Sequence, residues 1–293
     1  MSATSPTAAP SFRGRIGRDA RSGHYAVPRR YRLHLSPSCP RCLRIAVTHS
    51  LLRLGGAVPV TLLPAVPDET GGGYSALRPL YEASSHRHPG AAVAPVLSDD
   101  WTGRIVSTDA DGILRDLARR FGGDGPDLYP PGAEAGIEAV GLLCERGIAE
   151  AVRCPGRTGA GGVDLGTLLR SLDALEQRLA RGRYVLGGGP TAADVHVWAT
   201  LVRLDTVHRR HLDAAAVRHV AGHPRLWAYA RRLTAHPAFG PHLDPDGIAR
   251  GHRARCRGPE GAGAAVHVVD WRARTAAGSV PRPAERTRPT PPG

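Results

Sequence analysis

This sequence has no lysine, few cysteines and few aromatic residues, and these scarcities exclude several classes of protein. The five cysteines are too few, and odd in number, for a disulfide framework. No stretch of about 18 uncharged apolar residues occurs, so we predict no transmembrane helix. The first residues lack the charged, apolar and small-residue pattern of a secretory signal. We therefore expect a cytoplasmic protein without a membrane partner.

The charge is strongly basic, since all 39 basic residues are arginine and the formal net charge is +13. A basic balance affects solubility and non-specific association rather than fold. The arginines concentrate towards both ends of the chain, and no basic stripe is interleaved with aromatic residues. We therefore expect no specific nucleic-acid partner. Apolar residues make up 41 %, which is enough for a packed core and excludes disorder throughout the chain.

The first half of the chain has the pattern of a small α/β domain. Alternating apolar residues over Tyr31–Leu35 predict a strand, and apolar residues at helical spacing predict a helix over residues 43–54. A second alternation, over residues 58–62, contains Pro59, which predicts a strand at the edge of a sheet. The remaining predicted elements are two short strands and a helix, at residues 93–97, 104–106 and 113–121. This order is typical of a thioredoxin-like domain, which we assign to residues 29–123.

The second half has the pattern of helices only. Three helices are predicted, over residues 165–179, 192–212 and 224–234. Thr191 and Asp194 form a capping box at the start of the second of these helices. No strand pattern follows residue 130 or so, and we therefore assign an all-α domain to residues 130–252.

Both ends of the chain lack a clear apolar pattern. Residues 1–28 are rich in Ser, Ala, Arg and Gly, and residues 258–293 become rich in Pro and Arg. Such compositions do not support a packed core. We therefore expect both segments to be disordered tails.

The segment C-P-R-C at residues 39–42 lies between a predicted strand and a predicted helix. Pro40 suits the first helical position, because its missing N–H would have no partner there. Cys39 then lies at the helix start, where the dipole and free backbone N–H groups favour a thiolate. Arg41 and Arg44 add positive charge nearby. We predict that Cys39 is a nucleophile with a depressed pKa.

Cys42 lies one helical turn after Cys39, so the two sulfurs can approach bonding geometry. We predict that Cys42 resolves a mixed disulfide formed on Cys39. Two alternatives stay open: Cys42 only fills space as a small apolar residue, or both cysteines are an inert buried pair. A zinc site would need four ligands, and no second cysteine pair follows at a suitable spacing, so we expect no metal. The strand, C-P-x-C and helix in succession favour redox chemistry.

Four segments resemble those of a known family and occur in its order. They are R-Y-R-L-H with the following C-P, A-P-V-L, I-V-S-T-D and L-V-R-L-D-T-V-H-R-R-H, at residues 30–40, 94–97, 105–109 and 201–211. Together they resemble the glutathione S-transferase superfamily, and more narrowly its xi class, the glutathionyl-hydroquinone reductases, which are relatives of the omega class. The resemblance covers most of residues 28–252. It implies the glutathione transferase fold, an α/β thioredoxin-like N-terminal domain plus an all-α C-terminal domain.

The resemblance also implies a thiol cofactor and the residues that would bind it. The cofactor would be glutathione or another low-molecular-weight thiol. Pro95, in the cis form, would leave the Ala94 backbone free to pair with the peptide of the thiol. Asp109 would bind its amino group. Arg41 and Ala110 occupy two further cofactor-binding positions, at which the family has Trp and Ser.

The chemistry that the resemblance implies is thiol transfer. Cys39 would attack the sulfur of a glutathionyl thioether and release the reduced hydroquinone, and a second thiol would clear the resulting mixed disulfide. The partners would then be a small thiol and an electrophilic substrate, and the family suggests a homodimer. Because several family contacts are replaced, a second function stays open: a non-catalytic binding or scaffolding protein whose cofactor site has decayed.

Two histidines are candidates for substrate binding. His208 stands where the family has Tyr, and it would replace the phenol as a donor to the substrate oxygen. His211 lies three residues later, on the same predicted helix. The alternative for His208 is a hydrogen-bonded histidine between the two domains.

Overall fold

Four strands form one mixed sheet in the computed structural model, which describes residues 12–122, 125–152, 163–256, 258–266 and 268–271. The strands are β1 (Tyr31–Leu35), β2 (Val60–Leu62), β3 (Val96–Asp99) and β4 (Arg104–Ser107). Their order in the sheet is β2-β1-β3-β4, with β2 parallel to β1 and the other two pairs antiparallel. β2 lies at the edge, which confirms the prediction made from Pro59.

Three helices accompany this sheet. They are α1 (Pro40–Leu51), α2 (Arg78–Ser84) and α3 (Ala110–Arg120). The predicted helix over residues 43–54 is α1, which begins three residues earlier because Pro40 takes its first position. It ends at Leu51, and a short 3₁₀ turn follows at Leu54–Gly56. The sequence pattern did not predict α2, which is only seven residues long.

The C-terminal half is helical. Its helices are α4 (Glu134–Leu142), α5 (Leu165–Leu179), α6 (Ala192–Thr206), α7 (Ala214–Ala221), α8 (Pro224–Thr234) and α9 (Pro245–Arg255). α5 and α8 confirm their predictions, and both bonds of the capping box of Thr191 and Asp194 are present. A π-helical segment, Leu143–Ala149, continues α4. The described residues after 130 contain no strand element, and no described helix is long and apolar enough to cross a membrane.

The predicted helix over residues 192–212 is shorter than expected. α6 ends at Thr206, whose hydroxyl donates to the Val202 carbonyl. Val207 leaves the helical conformation with φ −122° and ψ −64°. A 3₁₀ turn, His208–His211, follows. His208 and His211 therefore lie in this 3₁₀ turn and not on the long α-helix predicted for them, which corrects the prediction.

Residues 12–28 are ordered, contrary to the expectation of a disordered tail. Arg13 pairs with Ser107 as an antiparallel bridge on β4. The Arg15 guanidinium donates to both carboxylate oxygens of Asp116, and Ile16 is buried. Local composition does not reveal this packing, because the partners lie about a hundred residues away. Residues 1–11 of the predicted tail lie outside the described residues.

The start of the second predicted tail is also packed against the helical domain. The buried Arg209 guanidinium donates to the backbone carbonyls of Gly263 and Ala264, each at 3.0 Å. The Trp271 indole donates to the Asp205 carboxylate at 2.7 Å. The expectation of disorder is therefore wrong for residues 258–266 and 268–271, while residues 272–293 lie outside the described residues.

The two halves of the chain meet along α1. This helix contacts α3 on one side and α6 of the helical domain on another. Ile45 and Val47 of α1 are fully buried, as are Trp198 and Leu201 of α6. The segment that begins with Cys39 is therefore held between the two domains.

Candidate functional site

Cys39 lies in the turn from β1 to α1 and is the residue that precedes the first turn of α1. Its Sγ is 4.0 Å from the carbonyl oxygen of Ala94. The bond between Ala94 and Pro95 is cis, which confirms that prediction. The turn before α1 and the loop before β3 thus bring the Cys39 sulfur against the backbone of Ala94.

The turn that carries Cys39 is supported from behind by α9. The Ser38 hydroxyl donates to the carbonyl of Ala65. Gly251 of α9 packs directly on this side chain, and a Cβ at residue 251 would lie only 2.6 Å from the Ser38 hydroxyl. Since such a contact is shorter than van der Waals packing allows, glycine is needed here for the close approach of α9.

Cys39 and Cys42 are neighbouring thiols with very different pKa values. The pKa of Cys39 is lowered to about 5, first by a hydrogen bond from the Cys42 thiol and further by backbone N–H groups and the charge of Arg41, against the opposing effect of burial. The pKa of Cys42 is raised well above its ordinary value, first by burial and then by the thiolate of Cys39. The thiol of Cys42 therefore keeps its proton and donates to Cys39.

The direction of the Cys39 pKa agrees with the prediction, but its largest cause is different. The helix start, Arg41 and Arg44 were the predicted causes; the first two contribute, whereas Arg44 is not among the groups that lower the pKa of Cys39. The hydrogen bond from Cys42 contributes more than either of them. This bond is local, because Cys42 follows Cys39 by one helical turn.

Two residues near Cys39 were not found by the sequence pattern. Tyr74 is buried, its phenol forms a hydrogen bond with Ser36, and burial followed by the negative charge of the cysteine pair raises its pKa. Arg203 comes from α6, where burial lowers the pKa of its guanidinium and the charge of Cys39 opposes that effect. Arg203 lies in the L-V-R-L-D segment, which is the signal that could have identified it.

The predicted cofactor residues fall into two groups. Ala94 lies against Cys39, and its backbone N–H bonds to no other described backbone group. Asp109 and Ala110 lie at the start of α3, where the half-buried Asp109 makes no capping bond with its own helix. No hydrogen bond or ion pair between described residues joins Asp109 or Ala110 to the Cys39 segment. Arg15 is a charged neighbour of Asp109 that sequence reasoning missed.

A cavity of about 160 Å³ lies between the first turn of α1 and the helical domain, and its lining begins at Pro40, the residue after Cys39. Its polar lining consists of Arg41, Arg44, Cys144, Glu145, His196, Thr200, Arg203 and His208. The π-helical segment supplies Cys144, Glu145 and Ala149, in keeping with the frequent use of such segments at functional sites. Ala149 contributes only a methyl group, which leaves room in the cavity.

His208 lines this cavity and has no hydrogen-bond partner among the described residues. The residue is 8 % exposed, and neither of its ring nitrogens is bonded within the described part of the chain. Burial, followed by the charge of Arg203, lowers its pKa to about 3. The Val152 carbonyl lies close enough to favour the charged ring, but it bonds to neither nitrogen. The neutral ring therefore offers one donor and one acceptor to a ligand.

His211 does not reach the cavity. Its Nδ1 is 2.9 Å from the Pro259 carbonyl and its Nε2 is 2.8 Å from the Nε2 of His252. The predicted substrate-binding role of His211 thus has no support in its position, because the 3₁₀ turn points it towards α9. Cys256 completes a group of potential metal ligands, but this cysteine is disulfide-bonded and so offers no thiolate.

Comparisons with known proteins agree with this architecture. The family model "Glutathione S-transferase, C-terminal domain" matches residues 146–232. The chain is 27 % identical over 263 residues to the glutathionyl-hydroquinone reductase YqjG of Escherichia coli (strain K12), covering 83 % of this chain and 80 % of that protein. It is 25 % identical over 253 residues to the glutathionyl-hydroquinone reductase PcpF of Sphingobium chlorophenolicum, covering 80 % and 79 %.

Solved structures with the same fold include two glutathione transferases. The enzyme from Gordonia bronchialis is 28 % identical, with a TM-score of 0.73 and coverage of 83 % of this chain and 82 % of that chain. The xi-class enzyme from Phanerochaete chrysosporium is 26 % identical, with a TM-score of 0.70 and coverage of 85 % and 92 %. The predicted fold, a thioredoxin-like domain followed by a helical domain, is confirmed.

Proposed function

We propose that this chain, which resembles the xi-class glutathione transferases, is a thiol transferase that removes glutathione or another small thiol from a quinone-type conjugate. The observation that carries the proposal is the position of Cys39. Its sulfur lies at the start of α1, receives a hydrogen bond from Cys42 and faces the backbone of Ala94. With a pKa of about 5, Cys39 is a thiolate at neutral pH, as a nucleophile must be.

In the first step, the Cys39 thiolate attacks the sulfur of the thioether conjugate. A sulfur–sulfur bond forms, the bond from that sulfur to the ring carbon breaks, and its electron pair leaves with the ring. The ring carbon takes up a proton, and the whole ring departs as the hydroquinone. The ring is thereby reduced, and the two sulfurs are oxidised to a mixed disulfide.

In the second step, we assign Cys42 the role of the resolving thiol. Cys42 loses its proton and attacks the sulfur of Cys39 in the mixed disulfide, which releases the small thiol. The product is an internal disulfide between Cys39 and Cys42, and two molecules of external thiol reduce it and become a disulfide themselves. The charge of the Cys39 thiolate, one reason for the high pKa of Cys42, is gone once Cys39 has reacted. Cys42 thus becomes easier to deprotonate at the moment its thiolate is needed.

The residues present supply part of the binding site that a small thiol such as glutathione would need. The Ala94 backbone is available to pair with a peptide, and the Asp109 carboxylate could receive an amino group. The Ala110 N–H, at the start of α3, bonds to no described backbone group, as is usual for the first donors of a helix. Arg41 is exposed beside the cavity and attracts a negatively charged thiol compound.

Turnover of a glutathionyl-hydroquinone conjugate, followed by chromatography of the released hydroquinone, tests the proposal. We expect Cys39→Ser to reduce the rate to near the uncatalysed rate, whereas Arg253→Gln, which changes an exposed side chain on α9, should keep most of the activity. If the wild-type protein binds glutathione but shows no turnover and no reactive Cys39, the chain is a binding protein instead.

The role of Cys42 has its own test. With limiting external thiol, mass spectrometry of Cys42→Ala should show glutathione trapped on Cys39, while the wild-type protein should show the internal disulfide. An equal adduct level and equal rate in both proteins would mean that Cys42 only fills space.

A further inference from the structure

One arginine at the cavity beside Cys39 has no carboxylate partner in the described part of the chain. Arg203 lines both this cavity and the small space around the Cys39 sulfur. Its guanidinium makes no hydrogen bond or ion pair with any residue that the structure describes. It is half-buried, and Arg255 is a repelling neighbour. Removing a charge from water without a partner is costly, so this position favours an anion.

The neutral His208 lies at the same cavity, and neither ring nitrogen has a partner among the residues that the structure describes. Buried polar groups without partners are rare in folded proteins, and a ligand is one physical reason for them. An anion held by Arg203 would also accept a hydrogen bond from the N–H of this ring. The Cys39 thiolate is a negative neighbour of Arg203, but its charge is lost when the sulfur enters a disulfide.

The rest of the lining does not supply the missing negative charge. Arg44 is paired with Asp111 at 3.1 Å and contacts the ring of His196. Glu145 points largely to solvent, with 52 % of its side chain exposed. Arg41 adds a further exposed guanidinium to the rim. The lining is therefore positive overall, with three guanidinium groups and one carboxylate.

The size of the cavity limits what can fill it. A cavity of about 150 Å³ holds one benzene molecule, and this cavity measures about 160 Å³. We propose that the cavity binds a single aromatic ring that carries a carboxylate, with the carboxylate on the guanidinium of Arg203 and the N–H of His208. A carboxylate matches the planar fork of the guanidinium and brings the charge that a neutral phenol lacks.

This inference rests on the proposed function in one respect: the bound ring belongs to the thiol conjugate that Cys39 attacks. Binding of the ring itself needs no thiol chemistry, so it can be tested separately. The probes are 4-fluorobenzoate and 4-fluorobenzamide, which have similar size and shape but differ in charge. Fluorine NMR titration of the reduced wild-type protein measures both dissociation constants.

We expect the wild-type protein to bind fluorobenzoate at least about tenfold more tightly than fluorobenzamide, as for a charge-assisted hydrogen bond. Arg203→Gln should remove this preference, and Arg203→Lys should retain part of it. Arg253→Gln removes the same charge from an exposed position on α9 and should change neither constant. Equal binding of the two probes by the wild-type protein would overturn the inference, whether or not the variants fold. If the wild-type protein prefers fluorobenzoate but does not turn over the glutathionyl-hydroquinone conjugate, the result counts against the proposed function alone.

Discussion

Replacing Cys42 by alanine should raise the pKa of Cys39, because the Cys42 thiol is the largest cause that lowers it. A hydrogen bond to a charged group contributes about 1.5–3 kcal/mol, and about 1.4 kcal/mol corresponds to one pKa unit. The pKa of Cys39 should therefore move from about 5 to about 6–7. At pH 5, about half of the wild-type Cys39 is thiolate, against about 1–10 % in the variant.

The assay is the rate of iodoacetamide labelling of Cys39, measured by mass spectrometry as a function of pH. At pH 5 the rate for Cys42→Ala should be about 5- to 50-fold lower than for the wild-type protein, while at pH 8 the rates should be similar. Cys42→Ser keeps a donor and should give an intermediate pKa of Cys39.

The matched control is Cys144→Ala. Burial raises the pKa of Cys144 to about 12, and this thiol is not among the groups that lower the pKa of Cys39. We expect the labelling profile of this variant to follow the wild-type profile. The reasoning is refuted if the midpoint for Cys42→Ala stays near that of the wild-type protein, or if the wild-type midpoint lies near the free-thiol value of about 8.5.

Three further predictions concern the fold around the site. Asp116→Ala should make residues 12–28 more sensitive to trypsin, because the carboxylate accepts the hydrogen bonds of Arg15; cleavage at the wild-type rate would contradict this. Gly251→Ala should lower the free energy of unfolding in urea by about 1–3 kcal/mol through its contact with Ser38, whereas Gly55→Ala, with open space around it, should cost less. The free energy of unfolding should also fall by about 3–4 kcal/mol between pH 7 and pH 5.5, because three histidines take up protons only when unfolded. Burial lowers their folded pKa values to about 3, about 3 and about 4, for His196, His208 and His252. Their stability contribution is complete above the unfolded pKa of about 6.5 and is lost as the pH falls below it, so equal unfolding curves at the two pH values would contradict the prediction.

The sequence predicted elements whose signals lie within one or two turns of the chain. Pro59 placed β2 at the sheet edge, because a residue without an N–H cannot pair on both sides. Pro40 and the residues around it placed Cys39 at a helix start. The helix over residues 192–212 was predicted too long, because the apolar period continues past Thr206 while the backbone does not.

What the sequence by itself determined is the order of the four strands, the helix start at Cys39 and the partner thiol one turn later, since these follow from local spacing. Only the tertiary structure decided which distant groups surround that thiol. Arg203 and His208 meet at one cavity because α6 packs on α1, while the 3₁₀ turn sends His211 to α9. The order of residues 12–28 likewise depends on β4 and α3, about a hundred residues away. Such contacts depend on which surfaces pack together, and no local period or composition encodes them.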